Sequence, residues 1–145
     1  MAQELTQSTI DVIINTADMV VSNSTQITKS MYKILFAKYP HVENLFKDQP
    51  QNQYMILSEA LSLFAVNIDK IDKLTPALNR IAVTHVRTNV KAGHYPMVGL
   101  ALLTAMEDVL TDRATVEFID AWREVYQYLS NVLIDMENTM YEDKN

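Results

Sequence analysis

The chain has 145 residues, a formal net charge of −6, 48% apolar residues, two glycines and no cysteine. That length suits one domain able to bury roughly 70% of the surface its unfolded form exposes, with no need of a disulfide or metal staple. The dispersed acidic residues offer no basic face, so neither nucleic acid nor an anionic membrane surface is expected as a partner, and without cysteine there is no thiolate or cysteine-based zinc chemistry.

No apolar run reaches the ~18 residues of a membrane span. Met1 to Gln7 lacks the basic start and apolar core of a signal peptide, so the expected location is cytoplasmic. Scarce glycine favours helices joined by short connections over a sheet with tight turns.

Taken in chain order, Ile10, Ile13, Ile14, Ala17, Val20 and Val21 recur at helical spacing and predict a first helix from about Thr6 to Val21. Ser22, Asn23 and Ser24 are good cap residues and are expected to restart the chain. A second helix then carries Ile27, Met31, Ile34, Leu35 and Tyr39 up to Pro40. Val42, Leu45 and Phe46 form a short apolar turn. Asp48, Gln49 and Pro50 read as the start of a helix running to about Ile68, with Leu57, Ala60, Leu61 and Phe64 on one face.

Thr75 and Pro76 read as the start of the next helix, which carries Leu78, Ile81, Ala82, His85 and Val86 and ends at Gly93. Pro96 opens a helix with Val98, Leu102, Ala105, Met106 and Val109, and Thr111 with Asp112 breaks it. A long final helix spans roughly Ala114 to Met140. The expected fold is all-α, with six substantial helices of uneven length, one short turn and no strand, an irregular arrangement rather than an up-down bundle.

Few residues offer chemistry. His41, His85 and His94 match no local zinc spacing, and two of them sit beside prolines in loops. There is no nucleophilic triad and no phosphate-cradling glycine loop. His85 lies within a helix, reached from Leu78 by a step of three to Ile81 and a further step of four, and so on their face. By composition such a histidine is more often a satisfied core residue than a ligand. Tyr32, beside Met31 and Leu35, reads as a hydrogen-bonded core tyrosine. Gln53 and Glu137 read as solvated.

The order of residues adds more. The run Tyr32-Lys33-Ile34-Leu35-Phe36-Ala37-Lys38-Tyr39-Pro40, followed by Val42 and Leu45-Phe46, resembles bacterial single-domain haemoglobins and the globin domains of flavohaemoglobins. So do Ile81-Ala82-Val83-Thr84-His85-Val86 and His94-Tyr95-Pro96-Met97-Val98-Gly99 with Leu102, Leu103 and Ala105. Ala121-Trp122, Tyr126, Glu137 and Tyr141 continue the match, which covers nearly the whole chain.

This resemblance implies a globin fold around one haem b (iron protoporphyrin IX). It implies that His85 is the proximal iron ligand and that Tyr95 and Glu137 support it. It further implies that Phe46 packs on the haem, while Tyr32, Gln53 and Leu57 face a bound gas: O2, NO or CO. The segment between Phe46 and Gln53 is shorter than in most flavohaemoglobins, which leaves Gln51 as a competing distal glutamine. Thr84 stands where the resemblance has a lysine.

Three functions then compete: NO dioxygenation with an external reductase, O2 storage or transport, and haem-based gas sensing. No glycine fingerprint of a flavin or nicotinamide domain is present in these residues, so 1–145 is expected to be a single globin domain that borrows its electrons. Sensing is the weakest expectation, because residues 1–145 carry no linker or output domain beside the globin. A distal hydrogen-bond donor with a carboxylate-supported histidine favours NO chemistry, and Thr84 favours carriage.

Overall fold

Thr6 starts the first helix by accepting the Thr9 backbone N–H on its hydroxyl at 3.3 Å, which satisfies one of the donors a helix start leaves open. In the computed structural model, which describes residues 4–46 and 53–144, this helix is α1, Gln7–Asn15. After it come α2 (Ala17–Lys38), a 3-10 turn over Pro40–Phe46, α3 (Gln53–Asn67) and α4 (Ile71–Arg87). A 3-10 turn at Ala92–His94 leads into α5 (Tyr95–Leu110), and another at Thr111–Arg113 leads into α6 (Val116–Lys144). Among the described residues there is no strand, and no helix is long and apolar enough to cross a membrane.

Among the described residues six main helices match the expectation, but the first break falls elsewhere. The Thr16 hydroxyl bonds back to the Val12 carbonyl at 2.6 Å and the chain bends there, whereas Ser22, Asn23 and Ser24 lie inside α2. Their side chains are satisfied without leaving the helix: Asn23 Nδ2 donates to Met19 O at 2.8 Å and Ser24 Oγ to Val21 O at 3.1 Å. Back-bonding of this kind removes the pull of such residues toward a cap. Likewise α4 begins at Ile71, with Pro76 inside it. The proposed start at Asp48, Gln49 and Pro50, and Gln51 itself, lie outside the described residues.

Packing positions the site. Helix α2 lies against α3 and α5, and α4 against α6, around a core that includes Ile27, Met31, Leu35, Leu74, Leu78, Met106, Leu110, Phe118 and Trp122. A seam of hydroxyls joins α2 to α3. Thr28, fully buried, donates to the Tyr54 carbonyl at 2.8 Å, and Ser58 donates to Ser24 at 2.8 Å. These bonds set α3 against α2 one turn from Tyr32.

Helix α5 meets α6 at Gly99, where a Cβ would stand 2.7 Å from the Tyr126 ring. That ring is not free to retreat, because its hydroxyl donates to the Tyr95 carbonyl at 2.7 Å. Gly99→Ala is therefore expected to cost about 1–3 kcal/mol, as overpacking does. Urea unfolding of the variant checks this, and an unchanged midpoint would show the contact to be slack.

Candidate functional site

On α4 the stripe Leu74, Leu78, Ala82 and Val86 is buried, as a four-residue repeat on one helix face requires. His85 and Ile81 stand at the edge of that stripe and are half-buried. The imidazole keeps 28% of its surface exposed. Its Nδ1 lies 2.9 Å from Glu137 Oε2 and 3.0 Å from the Tyr95 hydroxyl. The Tyr95 hydroxyl in turn donates to Glu137 Oε2 at 2.7 Å.

These three contacts decide where the hydrogens are. Tyr95 spends its one hydrogen on the carboxylate, so it presents only a lone pair to His85. Two acceptors then face Nδ1, which must carry the hydrogen. A neutral imidazole protonated at Nδ1 leaves a lone pair on Nε2, the atom that ligates a metal. Glu137, only 2% exposed, is a buried carboxyl group held by two donors, as a polar group taken out of water requires. Burial pushes the Tyr95 phenol well above its ordinary pKa, and the bond and charge of Glu137 push it the same way. Tyr95 thus remains a donor.

The second group of residues sits on α2 and α3. Tyr32 and Phe36, one turn apart on α2, meet Phe46 from the 3-10 turn. The ring centroids are 5.7 Å apart for Tyr32–Phe36 and 5.3 Å for each contact with Phe46. The Tyr32–Phe46 contact is edge-to-face at 80°, a favoured aromatic geometry. Burial pushes the Tyr32 phenol up to about 12, while the Gln53 side chain beside it pulls the other way. Gln53 Oε1 is buried and has no hydrogen-bond partner among the described residues. Leu57 follows one turn later on α3, half-buried.

The structure therefore joins His85, Tyr95 and Glu137 into one hydrogen-bonded cluster and sets Gln53 against Tyr32, with Phe46 on the same aromatic group. Phe36 belongs there too, and its spacing of four from Tyr32 was the signal for it. His94 belongs to a turn, its Nδ1 accepting from the Lys91 backbone N–H at 2.9 Å. His41 stands edge-on to Tyr39 with centroids 6.4 Å apart.

These residues fit an iron porphyrin on three counts. His85 has a free Nε2 and a carboxylate-fixed tautomer. Phe46 and Leu57 are apolar yet half-uncovered. Gln53 holds a buried amide oxygen that the described residues leave unpaired, at a cost of roughly 1–3 kcal/mol that core packing does not explain.

Residues 29–133 match the globin family. The chain is 39% identical over 137 residues to an uncharacterized globin-like protein of Aquifex aeolicus, covering 94% of this chain and 97% of that one. It is 34% identical over 142 residues to a flavohemoprotein of Halalkalibacterium halodurans, covering 96% of this chain but 34% of that protein. The chain thus spans about a third of the length of this flavohemoprotein. Among solved structures it superposes with a TM-score of 0.92 and 32% identity on an engineered carbene transferase made from a candidate nitric oxide dioxygenase of Rhodothermus marinus, covering 96% of this chain and 97% of that one.

Proposed function

The chain belongs to the globin family, whose members bind diatomic gases at a haem, and on that premise we propose that it removes NO by dioxygenation, using electrons from a separate reductase. The observation that carries this reading is the bond from His85 Nδ1 to the buried Glu137 carboxylate at 2.9 Å. The haem is proposed to be of the b type, since without cysteine there is no thioether attachment.

Haem, when bound, would supply an iron that takes up O2, NO or CO. The rest of the chemistry belongs to the chain. His85 offers Nε2 as the ligand, and Glu137, by accepting the Nδ1 hydrogen, makes that ligand more basic. Strong proximal donation favours redox chemistry over storage. Tyr95 keeps the carboxylate in place.

On the other side Tyr32 offers a hydroxyl that holds its hydrogen until the pH approaches about 12. One hydrogen bond to a partly charged ligand contributes about 1.5–3 kcal/mol, or roughly 10- to 100-fold in affinity. Gln53 is the second polar group there, and Phe36, Phe46 and Leu57, each half-buried, supply apolar surface beside it. The overall change joins one NO and one O2 into nitrate and consumes one electron, which the reductase supplies.

Protein equilibrated with O2 is expected to consume one equivalent of NO per haem within milliseconds, yield nitrate and then stall. Added NADH with a reductase-bearing cell extract restores turnover. Rapid mixing and nitrate analysis measure the first half, and steady-state NO loss the second. NO loss no faster than in aerated buffer would leave O2 storage and delivery as the function, the reading that Thr84 favours.

A further inference from the structure

Glu137 is not the only group on α6 that reaches toward His85. One turn further on, Tyr141 donates its hydroxyl to the Val90 carbonyl at 2.6 Å. Val90 is no ordinary loop residue, since its own N–H donates to the His85 carbonyl at 2.8 Å. The peptide of the histidine and the hydroxyl of Tyr141 are therefore two hydrogen bonds apart, through a single residue.

The connection between them is tight. Thr88 closes α4, its hydroxyl reaching the carbonyls of Thr84 at 2.9 Å and His85 at 3.3 Å. Asn89 then takes a left-handed φ of 65°, a conformation that non-glycine residues adopt at a cost of roughly 1 kcal/mol or more. A turn of that kind persists when its surroundings hold it. Here the holding groups are Tyr141 on the Val90 carbonyl and, next along the chain, Lys91, whose Nζ lies 3.8 Å from the centre of the Tyr141 ring.

We propose that Tyr141 is a positioning residue for His85, fixing the main chain just after α4 so that the imidazole meets Glu137 at full hydrogen-bond strength. This rests on the haem-ligand reading of His85. Glu137 and Tyr141 are four residues apart and so project from one face of α6. That face grips the histidine twice, once at Nδ1 and once through its backbone. A ring held at Nδ1 alone pivots with the helix end. A hydrogen bond weakens steeply as it lengthens or bends, so a loosened helix end lowers the basicity that Glu137 confers on Nε2.

Tyr141→Phe tests this, because it keeps the ring under Lys91 and removes only the hydroxyl. In the haem-free chain, amide exchange at Val90 is expected to quicken roughly tenfold, the equivalent of one ordinary hydrogen bond. In the haem-loaded ferrous protein the iron–histidine stretching band is expected to move to lower frequency. In a Glu137→Gln background, Tyr141→Phe should shift that band no further, since the route from Tyr141 to the iron runs through Glu137. Lys91→Met, which leaves the hydroxyl in place, should move the band less than Tyr141→Phe does, and an equal or larger shift would overturn the assignment to the hydroxyl.

Unchanged exchange at Val90 overturns the proposal whatever the haem does. Faster exchange with an unmoved band also overturns it, leaving Tyr141 a purely structural residue. An equal shift in the Glu137→Gln background does the same, because the effect would then bypass the carboxylate. A wild-type protein with no iron–histidine band removes the ligand reading and this inference together, and the exchange data still separate that failure from the others.

Discussion

His85→Ala is expected to yield folded protein that no longer retains haem, with the five-coordinate ferrous spectrum gone and haem affinity reduced more than ~100-fold. Changes to the groups that merely support a metal ligand cost roughly 10- to 100-fold in metal affinity, so loss of the ligand itself exceeds that range. No other histidine is placed to substitute. His94 Nδ1 is committed to the Lys91 N–H, and His41 stands edge-on to Tyr39 beyond the end of α2.

The substitution has a second consequence that haem does not enter. Glu137, 2% exposed, loses one of its two donors and keeps only the Tyr95 hydroxyl. A buried acceptor that loses a partner costs about 1–3 kcal/mol or more, so the haem-free variant should also unfold at lower urea. His85→Gly with added imidazole separates the two effects, since the free ring restores both the iron ligand and the donor to Glu137. Unchanged haem content and spectrum in His85→Ala would rule His85 out as the ligand.

How much of this was legible in the sequence follows from what each residue's partner is. Helix periodicity located α4, α5 and α6, because their apolar stripes pack on other stripes. It misplaced the first break. Ser22, Asn23 and Ser24 look like caps, yet they bond to carbonyls of their own helix, and nothing in their identities separates the two outcomes. Glu137 reads by composition as a solvated carboxylate and is among the most buried polar groups. Only its neighbours in space, 42 and 52 residues earlier, reverse that reading, so family likeness pointed to it where patterning did not. Tyr126 and Tyr141 are harder still. They act on the backbone carbonyls of Tyr95 and Val90, and a carbonyl leaves no mark in a sequence. On α3, Gln53 lies against Tyr32, a proximity that their identities, 21 residues apart, do not announce.

Tyr32→Phe is expected to speed O2 dissociation at least ~10-fold, which is the loss of one bond to a partly charged acceptor. The change is nearly isosteric. The ring keeps its edge-to-face contact with Phe46 and its place beside Phe36, so that packing is retained. What goes is a desolvated donor. Burial holds that phenol up to about 12, so its hydrogen is present across the working pH range. The wild-type off-rate should accordingly stay flat where an ordinary tyrosine, near 10, would begin to titrate. Gln53→Leu should act in the same direction but more weakly, because a flexible amide loses more freedom than a phenol in making the same bond. Carbon monoxide supplies the control. It draws little charge onto its outer atom, so its off-rate should barely respond to Tyr32→Phe if the hydroxyl acts as a donor. Stopped-flow displacement of O2 by CO, and of CO by NO, measures both rates. Equal acceleration of the two gases would point to disturbed packing, and an O2 off-rate indifferent to the hydroxyl would make Tyr32 a core residue and nothing more.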